Sequence, residues 1–328
     1  MVPAEQEALL ILTQLQFPHL AGQPLDISAI VKGGSDRHFY RIRQKSGSQS
    51  SMILMVYTLA RRDNPKFVPA TRRLAAAGVH VPEILAFDAD KLCVWLQDLG
   101  ADDLHSHAGD SWESRKAYYQ STLTEGAKIH NIEATNLSPD DLDELEPPFD
   151  EALYEWEQDY FLGHFVRNHL GRETTDADFT EAHQCLRKLR RTLAKVPRCL
   201  VHRDFQSQNV MLINGQAWLV DYQGLRPGLA EYDLASLLYD PYVTLTDTER
   251  EELLSYYISQ RGINPKVCRE RLHLCAAQRL MQALGAYANL SRNMGKPHFK
   301  QHIPAAVANL TAVCDLEADL QPLKSLFV

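Results

Sequence analysis

Residues 200–224, LVHRDFQSQNVMLINGQAWLVDYQG, constrain the fold of this chain more than any other segment. Asn214-Gly215 is a strong signal for a two-residue β-turn, because both positions must adopt positive φ and these residues tolerate it. The apolar runs 210–213 and 217–220 flank the turn. The segment therefore predicts an antiparallel hairpin with polar residues at its open end.

Three of these polar residues can act on one substrate. The pairing places Asn209, which enters the first strand, beside Asp221, which follows the second, and Asp204 precedes Asn209 by five residues. Magnesium takes oxygen ligands and often only one or two protein groups, so Asn209 and Asp221 suit a metal site. Asp204 would then face an acceptor hydroxyl and take its proton during phosphoryl transfer. The alternative interpretation is that these are turn residues and that His202 is a buried core histidine.

Strand signals crowd the first hundred residues, and helix signals dominate after them. The expected elements are a helix over 4–16, strands over 39–43 and 52–57, a helix over 66–77 with Gly78 as its C-cap, two strands within 81–100, and mainly helices over 111–195 with an acidic loop at 138–148. We expect this organisation to give a small strand-rich lobe that ends near Gly100, followed by a larger helical part.

HRDFQSQN at 202–209 resembles the catalytic loop of the kinase-like phosphotransferases, the superfamily of protein kinases, aminoglycoside phosphotransferases and choline kinases. DYQ at 221–223 stands where protein kinases carry DFG. EYDLASLLYDPYV at 231–243 is similar to the small-molecule branch, in which an aspartate at the start of a helix, here Asp233, braces the loop. The alternative for Asp233 is an ordinary helix N-cap.

The resemblance implies an α+β, two-lobed protein-kinase-like fold. Residues 1–99 would form the nucleotide-binding lobe around a small antiparallel sheet, and 100–328 the mainly helical catalytic and acceptor-binding lobe, with a hinge near 97–100. It also implies MgATP as the phosphate donor. The implied roles are catalysis for Asp204, magnesium binding for Asn209 and Asp221, support of the loop for His202 and Asp233, and nucleotide binding for Gly34, Ser35, Asp36, Arg37, Gln97 and Leu99.

Two departures from the kinase pattern concern the nucleotide phosphates. The strand at 52–57 lacks the usual lysine, with Met55 near that position, and the helix at 66–77 lacks a glutamate to pair with it. Either the phosphate charge is met by the metal and the turn at 33–37, or the chain is a non-catalytic nucleotide-binding protein. The presence of both carboxylates and Asn209 favours an active kinase.

The acceptor is expected to be a sugar held by the helix at 151–171. Glu157 and Phe161 share a helical face at i and i+4 and are the preferred pocket pair, with Arg203 and Gln223 as further acceptor-binding candidates. The helix also carries Trp156, and the alternative is that most of its aromatic residues are core.

The order of five segments makes the chain similar to bacterial anomeric kinases of N-acetylmuramate and N-acetylglucosamine, which act in cell-wall recycling. The segments are GGSDRHFYRI, AGVHVPEIL, LQDLG, EWEQDYFLGHFV and DYQ. This resemblance implies phosphorylation of the anomeric hydroxyl of an amino sugar. An aminoglycoside or choline acceptor stays open, because the chain is acidic, with a net charge of −8.

Composition excludes other classes of partner. The net charge of −8 disfavours a nucleic-acid partner, and the longest apolar runs fall well short of the roughly 20 residues that span a bilayer. None of the six cysteines forms a CxxC pair, so we expect all of them to be reduced core residues. These features predict a cytoplasmic monomer whose partner is a small-molecule acceptor.

Overall fold

The structure is a computed structural model that describes residues 3–30, 37–45, 51–173 and 179–328. The amino-terminal elements are α1 (Pro3–Gln16), β1 (Leu25–Ile30), β2 (His38–Gln44), β3 (Ser51–Val56), α2 (Phe67–Ala76), β4 (Ile84–Asp88) and β5 (Cys93–Gln97). Within the described ranges, the strands form one antiparallel sheet in the order β1-β2-β3-β5-β4.

The two faces of this sheet pack against different partners. Tyr40, Leu54 and Trp95 point to the side covered by α1, where the indole N–H of Trp95 donates to Oγ1 of Thr13 at 3.0 Å. The neighbouring strand residue Met55 and its partner side chains join the larger core shared with α2 and the rest of the chain. The period-2 alternation of strands thus divides one sheet between two hydrophobic clusters.

The carboxyl-terminal part is mainly helical. Its helices are α3 (Trp112–His130), α4 (Pro139–Asp143), α5 (Glu151–Tyr160), α6 (Thr180–Ala194), α7 (Ala230–Leu238), α8 (Asp247–Arg261), α9 (Pro265–Arg292) and α10 (Ile303–Leu316), and its strands are β6 (Cys199–Val201), β7 (Val210–Ile213), β8 (Gln216–Leu219) and β9 (Arg226–Gly228). A π-helical segment, Phe161–His169, continues α5. Short 3-10 turns occupy Pro18–Leu20, Asn64–Lys66, Leu104–His107, Ala134–Asn136, Ser207–Asn209, Pro297–His302 and Ala318–Leu326.

The hairpin β7–β8 lies at the junction with the amino-terminal sheet. Asn214 and Gly215 have φ of 52° and 77°, the positive values that a two-residue hairpin turn requires. The N–H of Leu212 donates to the carbonyl of Asp102, and that of Leu219 to the carbonyl of His80. The residues at the open end of the hairpin therefore face the region between sheet and helices.

The fold class predicted from the sequence is confirmed. The helix at 4–16, the strands around 39–43, 52–57 and within 81–100, and the positive φ of Gly78 all appear as expected. Strand β1 is absent from the prediction, because its sequence, LDISAI, alternates apolar and polar residues over only its first five positions. The loop at 138–148 contains the short α4, whose Ser138 forms a capping box with Asp141.

The cysteines and the apolar segments also agree with expectation. All six cysteines are free and buried. Among the residues described, no helix is both long and apolar enough to cross a bilayer. The division into lobes at residue 99 stays a prediction.

Candidate active site

A buried aspartate, Asp233, holds the loop that carries Asp204. Its carboxylate accepts the backbone N–H of His202 at 2.7 Å and of Arg203 at 2.8 Å, and Nε2 of His130 lies 3.0 Å from it. Arg203 has φ of 78°, a conformation that costs free energy in a residue with a Cβ. The two N–H bonds to a fixed carboxylate therefore define the shape of the loop.

Asp233 lies inside α7 and does not cap it. Leu229 occupies the N-cap position without a side-chain hydrogen bond, so the N-cap alternative for Asp233 is wrong. Seven residues after Asp233, Asp240 accepts the N–H and Oγ–H of Ser207 at 2.9 and 2.7 Å. Sequence reasoning missed Asp240, which lies just beyond the end of α7 at Leu238. Two buried carboxylates of one segment thus hold both ends of the loop.

His202 connects the loop to the hairpin. Its ring is fully buried, and Nε2 lies 3.0 Å from the carbonyl oxygen of Val220 at the end of β8. Because its backbone N–H also binds Asp233, His202 links the loop to the hairpin and to α7.

The carboxylate of Asp204 lies near two arginines, Arg203 of the same loop and Arg279 of α9. Nη1 of Arg203 lies 3.4 Å and Nη2 of Arg279 3.8 Å from its oxygens, and 30% of its side chain is exposed. Burial favours the neutral acid, but the charges of Arg203 and Arg279 outweigh it and lower the pKa of Asp204. Asp204 is therefore an anion at neutral pH that can accept a proton.

Asn209 and Asp221 lie side by side at the open end of the hairpin. The N–H of Val220 donates to the carbonyl of Asn209 at 3.0 Å, which brings Asp221 next to it. The side-chain NH2 of Asn209 donates to the carbonyl of Asp204 at 2.9 Å, so the oxygen Oδ1 is the atom left for a ligand. Among the described residues no group of three or more His, Cys, Asp or Glu has metal-binding geometry. One carboxylate and one amide oxygen suit magnesium, which completes its shell with phosphate and water.

Arg37 supplies a cation where the usual lysine is missing. Its Nη2 lies 2.5 Å from Oδ1 of Asp221, and its guanidinium lies 5.8 Å from the ring of Phe39. Met55 is fully buried and pairs with Phe39 across the sheet. The predicted nucleotide-binding residues Gly34, Ser35 and Asp36 lie outside the described residues.

Helix α2 contacts the segment after β8 without an ion pair. The hydroxyls of Thr71 and Tyr222 lie 2.9 Å apart, and the ring of Phe67 stacks on Tyr222 at 5.3 Å. This contact replaces the lysine–glutamate pair of the kinase pattern with a hydrogen bond and an aromatic stack. Tyr222, the central residue of DYQ, is thereby fixed against the amino-terminal lobe.

The predicted hinge at 97–100 includes a residue that sequence reasoning did not single out. Asp98 accepts two hydrogen bonds from Arg41, at 2.6 and 3.0 Å, one from Ser51 at 2.6 Å and one from the N–H of Gly100. Gln97 and Leu99 flank Asp98. The side chain of Gln97 accepts a hydrogen bond from the N–H of Glu83 at 3.3 Å, and the side chain of Leu99 is buried.

The acceptor candidates are mostly inside the core. Glu157 is 1% exposed, accepts the Tyr232 hydroxyl at 2.9 Å and Gln278 Nε2 at 3.0 Å, and burial raises its pKa. Phe161 is fully buried, and Gln223 is 6% exposed. The expected pocket pair is therefore covered, whereas Arg203 lines a cavity of about 580 Å³, described below.

A two-lobed fold with a carboxylate-bearing loop and a hairpin aspartate defines a phosphotransferase of the protein-kinase-like class. The chain belongs to the phosphotransferase enzyme family, whose model matches residues 26–271. The chain is 26% identical to an N-acetylmuramate/N-acetylglucosamine kinase of Pseudomonas aeruginosa over 84% of this chain and 80% of the relative. It is 28% identical to a kinase of the same name from Neisseria meningitidis, over 76% of this chain and 75% of the relative.

Solved structures share the fold at low sequence identity. A choline/ethanolamine kinase family protein from Mesorhizobium loti superposes with a TM-score of 0.66 at 17% identity, over 98% of this chain and 99% of the other. An ADP-bound aminoglycoside phosphotransferase gives 0.62 at 13% identity and covers both chains completely. At this identity, the likeness establishes the two-lobed fold.

Proposed function

We propose that this phosphotransferase transfers the γ-phosphate of MgATP to the anomeric hydroxyl of an N-acetylated amino sugar, N-acetylmuramate or N-acetylglucosamine. The observation that carries the phosphoryl-transfer chemistry is the meeting of Asp204, Asn209 and Asp221 at the open end of one hairpin. The names of the curated relatives, at 25–28% identity, support the acceptor class.

The nucleotide would bind between the proposed lobes, 1–99 and 100–328. Magnesium, when bound, neutralises phosphate charge and aligns the transferred group. Asp221 and Oδ1 of Asn209 would hold it. Arg37 would balance the charge of the phosphates, Gly34, Ser35 and Asp36 would contact the nucleotide, and Gln97 and Leu99 of the hinge would contact the base.

Asp204 would receive the proton of the acceptor hydroxyl. It is ionised at neutral pH, because Arg203 and Arg279 stabilise its anion. A hemiacetal hydroxyl is more acidic than an ordinary alcohol, so one carboxylate is enough to activate it. His202 and Asp233 keep the loop in place and act through Asp204.

The test is an acceptor panel read by ADP release, followed by phosphorus NMR of the product. We expect turnover of the amino sugars and a phosphorus signal that couples to the anomeric proton, as in a 1-phosphate. The phosphorus signal of a 6-phosphate would couple to the methylene protons. That result would refute the anomeric assignment and leave the acceptor class intact. Turnover of choline or aminoglycosides, with none of the amino sugars, would refute the acceptor class.

A thermal-shift titration separates the enzyme from a non-catalytic nucleotide-binding protein. A ligand at 100 times its Kd stabilises the folded state by about 2.7 kcal/mol. We expect a magnesium-dependent shift with ATP together with turnover. A shift without turnover of any acceptor would favour the non-catalytic alternative.

A further inference from the structure

A cavity of about 580 Å³ opens beside the proposed catalytic loop. Its walls come from the residues before α2, from the segment 146–150, from α5, and from Arg203 and Arg226. We name it the arginine cavity. Arg203, which lines the cavity, immediately precedes the proposed base Asp204, and its Nη1 lies 3.4 Å from the Asp204 carboxylate.

The carboxylates of the wall pair mainly with its outer cations. Asp63 lies 3.2 Å from Arg61, and Glu146 lies 3.1 Å from Arg62 and 3.2 Å from Lys66. Arg226 is 3.7 Å from Glu146, and its Nε donates to the carbonyl of Gly224 at 3.0 Å. Glu146 and Asp63 are therefore deep in the wall with Arg226, and Arg61 and Arg62 are at the rim. The lining has four arginines and three carboxylates, those of Asp63, Glu146 and Asp150, so its net charge is positive.

Two guanidinium groups, that of the buried Arg226 and that of the partly buried Arg203, line the cavity together. The side chain of Arg226 is 8% exposed and that of Arg203 25%. Burial, together with the charge of Arg203, lowers the pKa of Arg226 to about 10. The charge of Arg203 thus disfavours the cation of Arg226, and a ligand carboxylate between the two groups would stabilise both cations. Guanidinium groups bind carboxylates through paired N–H donors.

An aromatic ring at the rim suits the rest of such a ligand. Trp156 lines the cavity and is 53% exposed, and its other face stacks on Tyr160 at 5.2 Å with an angle of 16° between the rings. A large exposed aromatic ring, held flat by a neighbour, offers an apolar face to a sugar ring.

We propose that the arginine cavity binds the acceptor and that Arg203 and Arg226 select an amino sugar that carries a carboxylate over its neutral counterpart. The proposal rests on the proposed function and names the specificity of that site. It predicts that the protein uses N-acetylmuramate, which bears a lactyl carboxylate, with higher kcat/KM than N-acetylglucosamine.

The experiment compares the ratio of kcat/KM for the two sugars in the wild type and in Arg226→Gln. A charge-assisted hydrogen bond contributes about 1.5–3 kcal/mol, so we expect the ratio to fall about tenfold or more. Arg191→Gln is the matched control, since Arg191 is 63% exposed, lies on α6 and pairs with Glu151. Melting temperatures check that each variant is folded.

Two further measurements keep the proposal testable if Arg226→Gln does not fold. Trp156→Ala, at an exposed position, should raise KM for both sugars. In the wild type, the methyl glycoside of N-acetylmuramate should inhibit about tenfold more strongly than that of N-acetylglucosamine. Equal inhibition by the two glycosides would overturn the proposal.

Other outcomes separate the possible failures. An unchanged ratio in folded Arg226→Gln would overturn the carboxylate selection and leave the kinase assignment intact. A raised KM for ATP with an unchanged ratio would show that the arginines serve the nucleotide phosphates, which also overturns it. Turnover of neither sugar by the wild type would refute the proposed function itself.

Discussion

Arg37 and Asp221, 184 positions apart in the chain, form an ion pair with 2.5 Å between Nη2 and Oδ1. The arginine side chain is 3% exposed and the aspartate 39%, so the cation is fixed from the sheet side while the carboxylate stays open to a ligand. The pair places a positive charge beside the proposed metal site, where the strand residue Met55 offers none.

We expect Arg37→Met to raise KM for ATP about tenfold or more, because the charge-assisted hydrogen bond that positions Asp221 beside the proposed metal site is lost. Arg37→Lys should restore part of the affinity, since it keeps the charge without the planar donor group. Steady-state kinetics with varied ATP measure the effect, and Arg43→Gln, at an exposed position of the strand β2 that follows Arg37, is the control. An unchanged KM for ATP in Arg37→Met would contradict this role.

Asp204 and Asp221 should fail in different ways. Asp204→Asn is expected to lose turnover by about 100-fold or more while it still binds nucleotide, since a positioned proton acceptor contributes on that scale. Asp221→Ala should instead abolish the magnesium dependence of ATP binding. Single-turnover kinetics and thermal-shift titrations with and without magnesium distinguish them. Near-wild-type turnover of Asp204→Asn would show that another group accepts the proton.

Removal of the Asp233 carboxylate should destabilise the whole protein. Asp233→Ala leaves two buried N–H groups and His130 without their acceptor, and each lost bond to a charged group costs about 1.5–3 kcal/mol. We therefore expect the free energy of unfolding to fall by about 3 kcal/mol or more, together with activity. Urea unfolding measures the loss, and Asp247→Ala, at a fully exposed position, should change stability little. A stable but inactive Asp233→Ala would argue against a supporting role.

Asp98 makes stability depend on pH in a defined direction. Burial opposes its ionisation, but hydrogen bonds from Arg41, Ser51 and Gly100 outweigh burial and lower the pKa of Asp98. A lowered pKa stabilises the fold above the unfolded value of about 3.9, and this contribution is lost as the pH falls through the folded value. The stability difference between wild type and Asp98→Asn should thus be largest near pH 7 and shrink below pH 4. A difference that grows towards acid would exclude this linkage.

Local chemistry determined much of the site. The turn at Asn214-Gly215 needs a positive φ at both residues, and few dipeptides tolerate this. The hairpin could therefore be predicted from these two residues and the apolar runs beside them. Asp204, Asn209 and Asp221 lie within 18 residues of chain, and pairing of the short strands between them brings the last two together. Close spacing along the chain made these contacts predictable.

The acceptor side needed the tertiary structure. Helical spacing shows that Glu157 and Phe161 share a face, but it does not show which element covers that face. Helix α9 covers it: Gln278 binds Glu157, and a Cβ at Gly285 would lie 3.1 Å from the backbone nitrogen of Phe161. Trp156, on another face of the same helix, is left exposed at the arginine cavity.

The sequence by itself determined the fold class, the hairpin and the loop with its carboxylates, since these depend on backbone preferences and on residues close along the chain. The packing of distant segments decided that Arg37 lies on Asp221, that Thr71 contacts Tyr222, and that two arginines meet at one cavity. Such contacts depend on how elements far apart in sequence lie against each other. These contacts are stabilised by burial and by charge in the folded state. A pattern of residues close along the chain does not predict either.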